Sequence, residues 1–490
     1  MGTEAGVAPA DEGSVPDEPY HFDRLRQSES NAYRPAPLSY LVDYNNHCVQ
    51  IQNHKKGEQS HDFDFHYLRD ACSCPKCVDS STKQKNFQTS DIPENLVVKQ
   101  LTTQENGDVQ LEWQDDIPGF GPDHITTLPD RFFRRNWSRF TRVLSRYDDS
   151  QTTAWDKKRM EKDVGWFPYD SYMSSEATLL KALMHLHRYG LIFLSDVPST
   201  EESVVSIGTR IGPLRDSFYG RTWDVKSVPD AKNVAYTHQH LGLHMDLLYM
   251  QNPPGLQLLH CLRATCAGGN SLFSDSYRAA YGMRKLYRDE FKALLRFPVT
   301  YHYHNAGQHY HFTRPTVELE PYRLSTKVRR LAVVNWAPPF QAPFEVDVCG
   351  VHNREGFGDY LKAARRFAEI VEAEDALFEL KLEEGQCVVF NNRRVLHARR
   401  AFDIGEGERW LKGAYVDSDV FQSKLRVLRE ESNEPLPWLG CKNSEVEFTS
   451  LRGMRVDEVL KTAGPGELEE GSEGRRFHHC IRYPLLSSSV

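Results

Sequence analysis

The stretch Thr237-His238-Gln239-His240-Leu241-Gly242-Leu243-His244-Met245-Asp246 decides how the chain is interpreted, because it ends in His-x-Asp. Side chains two residues apart on a β-strand point to the same face, so His244 and Asp246 can bind one metal ion if they lie on a strand. A 2-His-1-carboxylate iron site needs a second histidine and leaves positions open for oxygen and a co-substrate. The chain has 20 histidines, so the motif needs partners elsewhere before it indicates such a site.

The second histidine is expected after a buried strand late in the chain. Residues Cys387–Phe390 are apolar, a polar turn follows, and His397 comes next. Arg409 then precedes another strand-like segment, and an arginine can hold a carboxylate through two parallel hydrogen bonds, as a dicarboxylate such as 2-oxoglutarate requires. The spacing favours Arg409. Four other arginines qualify by residue type: Arg393, Arg394, Arg399 and Arg400.

A second metal site is indicated by the cluster Cys72-x-Cys74-x-x-Cys77. Zinc prefers four ligands in a tetrahedron, so the three thiols need a fourth ligand, and His124 is the best placed candidate. The alternative is three buried cysteines without metal, but a polar loop is poor core sequence. A closed site of this kind is structural rather than catalytic. Other histidines that compete for the fourth position are His54, His61 and His66.

Composition excludes several classes of protein. With 490 residues, 39% hydrophobic and 26% charged, the chain is expected to be globular. A net charge of −8 and a pI near 6.2 argue against nucleic-acid binding, so the aromatic and basic stretch 130–170 is interpreted as packing between domains. No apolar run is long enough to span a bilayer, and we expect no membrane partner.

The N-terminus shows neither the apolar core of a signal peptide nor an Arg-rich presequence, which predicts a cytoplasmic protein. The ten cysteines are then expected to stay reduced. Low hydrophobicity and frequent proline predict disorder in both tails. The predicted organisation is a tail over 1–35, a zinc-binding domain over 36–140, a linker over 141–165, an oxygenase domain over 166–431 and a mostly disordered tail over 432–490.

Local patterns predict mainly β structure. Ser174 and Ser175 can cap a helix that carries an apolar stripe, and Gly190 ends it before a strand at 191–194. A second helical stretch is expected at 354–378. Many short strands with few helices indicate a sandwich or jelly roll, whose mouth can hold a metal. The strands predicted for the second domain are 232–237, 243–249, 256–262, 271–275, 298–304, 331–336, 386–390 and 410–416.

Taken together, the motifs resemble the γ-butyrobetaine and trimethyllysine dioxygenase family of Fe(II)/2-oxoglutarate oxygenases, within the taurine-dioxygenase-like superfamily. The resemblance covers about residues 38 to 430 and includes the cysteine module. It implies a double-stranded β-helix (jelly roll) with flanking helices, preceded by a small β-rich zinc-binding domain. The motifs, in order, are His244-x-Asp246, Gly268-Gly269-Asn270-Ser271, Asn392-Arg393-x-x-Leu396-His397-x-Arg399, Arg409 and Gly413-Ala414-Tyr415.

The resemblance also implies the chemistry. Iron is bound by His244, Asp246 and His397, and 2-oxoglutarate by Arg409 with help from Ser271. Structural zinc, O₂, ascorbate as reductant and a homodimer are expected. The implied reaction is hydroxylation of γ-butyrobetaine at C3 to L-carnitine, with release of succinate and CO₂.

The substrate's trimethylammonium group has no N–H to donate, so an aromatic cage has to hold it. Residues that match the family's cage are Tyr219, Trp223, Tyr236 and Tyr415, and Asn233 matches a residue that binds the substrate carboxylate. Tyr236 has the strand parity of His244 and Asp246. His238 and His240 share this parity and are interpreted as residues of the strand or the pocket wall.

One segment departs from the family pattern. Where the family has two asparagines followed by an arginine, residues 335–340 read Asn-Trp-Ala-Pro-Pro-Phe, which puts recognition of the substrate carboxylate in doubt. The alternatives are therefore a trimethyllysine dioxygenase, which the missing presequence disfavours, and a hydroxylase of another quaternary amine. A non-enzymatic zinc-containing interaction scaffold would be expected to lack one of the iron ligands, and none is missing.

Overall fold

The structure is a computed structural model that describes residues 38–53, 59–137, 152–226, 238–323, 329–344, 354–403 and 407–432. The chain separates into two compact units, Met1–Thr141 and Arg142–Val490. Each unit has its own hydrophobic core and is described by itself.

The described residues of the first unit form two three-stranded antiparallel sheets and two short α-helices. Its core is formed by apolar side chains such as Phe65, Leu111 and Phe133. The elements are β1 Leu38–Asp43, β2 Cys48–Asn53, β3 Gln59–Asp64, α1 Phe65–Asp70, β4 Val97–Thr103, β5 Val109–Gln114, β6 Ile125–Leu128 and α2 Asp130–Asn136.

The described part of the second unit is built on a six-stranded and a four-stranded sheet, with two further two-stranded sheets. The strands are β7 Trp166–Pro168, β8 Leu191–Ser195, β9 Thr222–Lys226, β10 Leu241–His244, β11 Leu256–Ala264, β12 Ser271–Asp275, β13 Pro298–Asn305, β14 Gln308–Pro315, β15 Val317–Arg323, β16 Arg329–Val334, β17 Phe378–Leu380, β18 Cys387–Asn391, β19 Val395–Arg399 and β20 Arg409–Val416. The six-stranded sheet has the order β7-β8-β18-β11-β20-β9 and the four-stranded sheet the order β10-β19-β12-β17.

The two larger sheets face each other. Phe390 of the six-stranded sheet contacts Phe273 and His397 of the four-stranded sheet, with ring centroids 5.7 and 4.9 Å apart. Helices cover the outer face of the six-stranded sheet, where Leu183 and Val204 pack with Leu258. This arrangement is the jelly roll that the motifs implied.

The helices of this unit begin and end at recognisable signals. In the helix Glu176–Tyr189, Ser175 accepts a hydrogen bond from the Thr178 N–H, and Gly190 ends the helix in the left-handed conformation (φ 78°), as predicted. The helices are α3 Lys157–Asp163, α4 Tyr169–Ser174, α5 Glu176–Tyr189, α6 Glu202–Ile211, α7 Ser276–Leu286, α8 Arg288–Arg296, α9 Arg354–Val371 and α10 Ser418–Glu431.

Two expectations about local structure were wrong. The strand predicted at 243–249 ends at His244, and the chain then turns, with Leu247 at φ 59°. Asp246 therefore does not lie on a strand beside His244. Helices α3, α4, α6, α7, α8 and α10 were not predicted, so the described part of the unit has more helix than the pattern of strands suggested. Among the described residues, no helix is both long and apolar enough to cross a membrane.

Candidate active site

The structure brings His244, Asp246 and His397 together. One ligand atom from each lies within 4.8 Å of the others. Asp246 Oδ1 is 3.3 Å from His244 Nε2 and 3.9 Å from His397 Nε2. Ligands at right angles around a metal with bonds of about 2.1 Å lie about 3 Å apart, so the three side chains fit a facial triad.

The strands and a turn position this triad. His244 and His397 are cross-strand neighbours in the pair β10–β19, while Asp246 comes from the turn after β10. His244 Nδ1 donates to the Gly242 carbonyl oxygen at 2.9 Å, which leaves Nε2 to face the metal position. The Tyr415 hydroxyl donates to Asp246 Oδ2 at 2.7 Å. His244 and Asp246 are thus aimed by hydrogen bonds outside the triad, while His397 is placed by its strand β19.

The electrostatics favour metal binding. Burial, followed by the charge of His244, lowers the pKa of His397 to about 3, so its imidazole is neutral. Burial opposes ionisation of Asp246, but its interactions with His244, His397 and the Tyr415 hydroxyl hold the pKa of Asp246 well below its ordinary value. A neutral imidazole and an ionised carboxylate are the forms that bind a divalent cation.

A cationic locus lies next to the triad. Arg399 is two residues after His397 on β19 and therefore shares its face, and Ser271 is the cross-strand neighbour of Arg399. The guanidinium groups of Arg399 and Arg409 both lie against the Phe402 ring, with Cζ atoms 5.1 and 5.6 Å from its centroid. Burial, followed by the charge of Arg409, lowers the pKa of Arg399 to about 10. In the described part of the chain, Arg409 has no carboxylate partner, although it is buried. This pair of guanidinium groups favours the binding of an anion.

Glycine at position 269 is required beside this locus. Arg409 Nε donates to the Gly269 carbonyl oxygen at 3.3 Å. Gly269 has φ +73°, and a Cβ there would lie 3.0 Å from Arg409 Cδ. A side chain at this position would be strained and would crowd the arginine.

The other arginines considered from the sequence have different partners. Arg394 forms a buried ion pair with Asp275, and Arg400 pairs with Glu379 near the surface. Arg393 donates to Asn335 Oδ1 at 2.7 Å. Of the rivals, only Arg399 lies with Arg409 and Ser271, and sequence spacing alone did not single it out.

Aromatic side chains line the space beside Asp246. Trp223 stacks on Tyr415 with ring centroids 3.9 Å apart. The Tyr219 hydroxyl lies 3.4 Å from that of Tyr249, a buried tyrosine that the sequence analysis did not identify. Burial, followed by the influence of Tyr219, raises the pKa of Tyr249 far above its usual value. The predicted cage residue Tyr236 and the predicted carboxylate-binding residue Asn233 lie outside the described residues.

Asn335 and Trp336 have structural partners. The Asn335 side chain donates to the Pro315 carbonyl oxygen and to Glu318, and it accepts from Arg393. Trp336 is 9% exposed and packs on Phe367 with ring centroids 5.0 Å apart. The Asn335 amide is therefore fully used within the protein. The following turn brings Phe340 to 6.3 Å from the His244 ring.

His238 and His240 are both exposed and lie ahead of β10 rather than within a strand. Strand alternation therefore does not place their side chains on the face of His244, and the prediction that it does was wrong. His238 contributes its carbonyl oxygen, which accepts a hydrogen bond from the Phe402 N–H.

The first unit contains the second metal site. His124 Nε2 lies 3.5, 3.4 and 3.3 Å from the sulfur atoms of Cys72, Cys74 and Cys77. Zinc bonds of about 2.3 Å to sulfur and about 2.0 Å to nitrogen would separate these atoms by about 3.5 Å at tetrahedral angles. Asp116 orients His124 by accepting from Nδ1 at 2.6 Å. The Cys3His group fits a structural zinc.

The competing histidines do not join this cluster. The His61 ring packs on Trp137 at 4.4 Å, and His66 Nε2 faces the Pro93 carbonyl oxygen at 3.1 Å. His54 lies outside the described residues. The hydrogen bond from Cys77 lowers the pKa of Cys72, which favours the thiolate that zinc binds.

The chain is similar in sequence to known families of proteins. The model of the taurine catabolism dioxygenase TauD, TfdA family matches residues 152–415, more than half of the chain. The chain belongs to the TauD/TfdA dioxygenase family. Within this family, a gamma-butyrobetaine hydroxylase-like N-terminal model matches residues 43–119, the part that carries the three cysteines.

Curated relatives narrow the assignment of this TauD/TfdA dioxygenase. The dioxygenase str8 of Strobilurus tenacellus is 36% identical over 75% of this chain and 85% of its own length. The gamma-butyrobetaine dioxygenase of Pseudomonas sp. strain AK-1 is 32% identical over 74% and 90%. The mitochondrial trimethyllysine dioxygenase of Mus musculus is 27% identical over 75% and 82%.

This dioxygenase therefore belongs to the γ-butyrobetaine and trimethyllysine dioxygenase family, as the motifs suggested. It is an enzyme that uses Fe(II), 2-oxoglutarate, O₂ and a small-molecule substrate. The cytoplasmic location, the homodimer and the use of ascorbate stay predictions.

Proposed function

We propose that this dioxygenase hydroxylates γ-butyrobetaine at C3 to give L-carnitine, with succinate and CO₂ as the other products. The observation that carries the proposal is the aromatic group formed by Trp223 and Tyr415 directly beside Asp246. A quaternary ammonium group gains about 0.5 to 2 kcal/mol from each well-placed aromatic face, and no hydrogen-bond donor is needed.

In this proposal His244, Asp246 and His397 hold the iron. Bound iron, together with 2-oxoglutarate and O₂, supplies the oxidant for an unactivated C–H bond. The role of the three side chains is to fix the ion while leaving other positions open. Asp246 adds negative charge on the side of the cage, which favours a cationic substrate over a neutral one.

Arg409 and Arg399 bind the far carboxylate of 2-oxoglutarate, with Ser271 as an additional donor. Two residues of strand, from His397 to Arg399, span about 6.6 Å, which suits a five-carbon dicarboxylate that reaches from the metal to the guanidinium groups. Arginine binds such a carboxylate through two parallel hydrogen bonds and stays charged even when buried.

The trimethylammonium group is held at a fixed distance from the iron ligands by four aromatic side chains, those of Trp223, Tyr219, Tyr249 and Tyr415. When one end of a short substrate is held in place, the number of bonds from that end decides which substrate carbon lies next to the metal. In the proposal this distance selects C3. Asn233 and Tyr236 are assigned to substrate binding by the family resemblance alone.

A second candidate is a hydroxylase of another quaternary amine, one that lacks a carboxylate. The Asn335 amide is used by Arg393 and Glu318, Trp336 is packed in the core, and Phe340 presents an apolar surface close to His244. These contacts favour an apolar group at the end of the substrate that faces residues 336–340.

The experiment is a competition among three amines. The purified protein is incubated with Fe(II), ascorbate and 2-oxoglutarate, together with γ-butyrobetaine, trimethyllysine and a trimethylammonium compound without a carboxylate. Products are separated by mass spectrometry. Carnitine as the main product supports the proposal, whereas preferential hydroxylation of trimethyllysine or of the carboxylate-free amine would replace it with the corresponding alternative.

A further inference from the structure

The hairpin of β13 and β14 carries four histidines on one face. His302 is the cross-strand partner of His311, and His304 is the partner of His309. Cross-strand partners and residues two apart on a strand share a face, so all four imidazoles project to the same side. The next pair along this face is Thr300 with Thr313. None of these residues belongs to either metal cluster described above.

The histidine face is turned to solvent. His304, His309 and His311 are exposed and His302 is partly so. The rings of His304 and His309 are stacked with centroids 4.2 Å apart, and those of His309 and His311 are 5.9 Å apart. Within the described part of the chain, none of the four rings forms a hydrogen bond or an ion pair. Their nitrogen lone pairs are therefore available.

The opposite face of the same hairpin forms one wall of the aromatic group near the catalytic centre. Tyr303 and its partner Tyr310 both contact Phe218, with ring centroids 5.1 and 4.9 Å apart. Tyr303 also stacks on Tyr249 at 5.5 Å, and Tyr249 contacts Phe340, which neighbours His244. The hairpin thus has an imidazole face outside and an aromatic face inside.

Imidazole nitrogens are preferred ligands of zinc, copper and nickel, whereas magnesium and calcium prefer oxygen. In the structure, no three of these four imidazoles have nitrogens that all lie within 4.8 Å of one another, so binding through three of them requires side-chain rotation. Exposed side chains change rotamer on the picosecond to nanosecond timescale, and the backbone register already holds the four Cα positions close together.

We propose that His302, His304, His309 and His311 form a surface site for a divalent transition-metal ion of the zinc, copper and nickel group. The ion is bound by nitrogens from both strands and therefore ties β13 to β14. Because Tyr303 and Tyr310 are on these same strands, occupancy of the site stiffens one wall of the aromatic group. This site is independent of the substrate proposed above.

The test measures zinc stoichiometry in the full-length protein. Samples are dialysed to equilibrium against micromolar Zn²⁺ and the bound zinc is counted for the wild type and for a His304→Thr/His309→Thr variant. Threonine suits a strand and copies the neighbouring Thr300–Thr313 pair, so the hairpin is expected to keep its fold. The expected result is one bound equivalent fewer in the variant, since the other metal sites are the same in both proteins.

A Thr300→Ala/Thr313→Ala variant is the matched control and should bind as many equivalents of zinc as the wild type. Electron paramagnetic resonance of added Cu²⁺ provides a second readout, since nitrogen hyperfine splitting assigned to this site should disappear in the histidine variant. A His302→Thr/His311→Thr variant repeats the test if the first variant misfolds. Equal zinc content in the wild type and both histidine variants would overturn the proposal, as would loss of the equivalent in the threonine control.

Discussion

Asn392 holds the backbone of Asp246 from both sides. The Asp246 N–H donates to Asn392 Oδ1 at 2.8 Å, and Asn392 Nδ2 donates to the Asp246 carbonyl oxygen at 3.0 Å. Asn392 is fully buried and also donates to the Pro254 carbonyl oxygen. Because Asp246 lies in a turn rather than on a strand, no hydrogen bonds of a β-sheet fix its backbone. The Asn392 amide fixes the backbone instead and so positions the carboxylate.

Replacing Asn392 by Ala should therefore weaken metal binding. Loss of an outer contact to a metal ligand typically costs about 10- to 100-fold in affinity, and we expect a decrease of this size in the affinity for Fe(II) or Mn(II). Titration of the metal into the apo-protein measures it. An Asn270→Ala variant, which loses only an exposed contact to Glu379, is the control. Unchanged affinity in Asn392→Ala would refute the role of this amide.

Replacing Arg409 by Lys should raise the KM for 2-oxoglutarate. Lysine keeps the charge but loses the two parallel hydrogen bonds to a carboxylate, so we expect an increase of roughly 10-fold or more with little change in the KM of the amine substrate. Steady-state kinetics with each compound varied in turn separates the two effects. Arg400→Lys serves as the control because Arg400 pairs with Glu379 at the surface. An equal rise in both KM values would point to misfolding instead.

Replacing Cys77 by Ser should remove zinc and destabilise the first unit. Structural zinc sites contribute folding free energy directly, because the complete four-ligand site is formed only in the folded chain. We expect the zinc content to fall by one equivalent and the thermal midpoint to drop, while the iron content is retained. Elemental analysis and calorimetry check both. Retention of zinc at the wild-type level would contradict the Cys3His assignment.

Buried His260 should make the protein sensitive to acid. It is fully buried on β11, and burial lowers its pKa from 6.5 to about 4. Between pH 6.5 and about 4, the His260 imidazole is protonated in the unfolded chain but not in the folded protein. The free energy of unfolding therefore decreases by about 1 kcal/mol for each pH unit as the pH falls. A His260→Leu variant removes this loss.

Calorimetry over this pH window therefore gives the comparison. The thermal midpoint of the leucine variant should fall less steeply than that of the wild type as the medium is acidified from pH 6.5 to about 4. His185, whose pKa burial also lowers to about 4, contributes equally to both proteins. Parallel curves for the two proteins would show that His260 is not responsible.

The sequence predicted which side chains lie close together better than it predicted the backbone structure that brings them together. His244 and Asp246 do approach each other, but through a turn and not through strand alternation. The three cysteines could be found because they are close in sequence. The helix Glu176–Tyr189 could be found because Ser175 and Gly190 are local signals.

Contacts between distant parts of the chain could not be predicted in this way. Asn392 reaches a residue 146 positions away, and the proximity of Arg399 to Arg409 depends on how two sheets meet. Tyr249 follows a turn whose course no local pattern fixes. Such residues become visible only when the strand order is known.

The most direct measurement of the proposed function uses labelled oxygen. The protein is supplied with Fe(II), 2-oxoglutarate, γ-butyrobetaine and ¹⁸O₂, and the products are analysed by mass spectrometry. We predict one labelled oxygen atom in carnitine and one in succinate, and neither product from an Asp246→Ala variant. Succinate without labelled carnitine, or carnitine formed equally well by Asp246→Ala, would contradict the account.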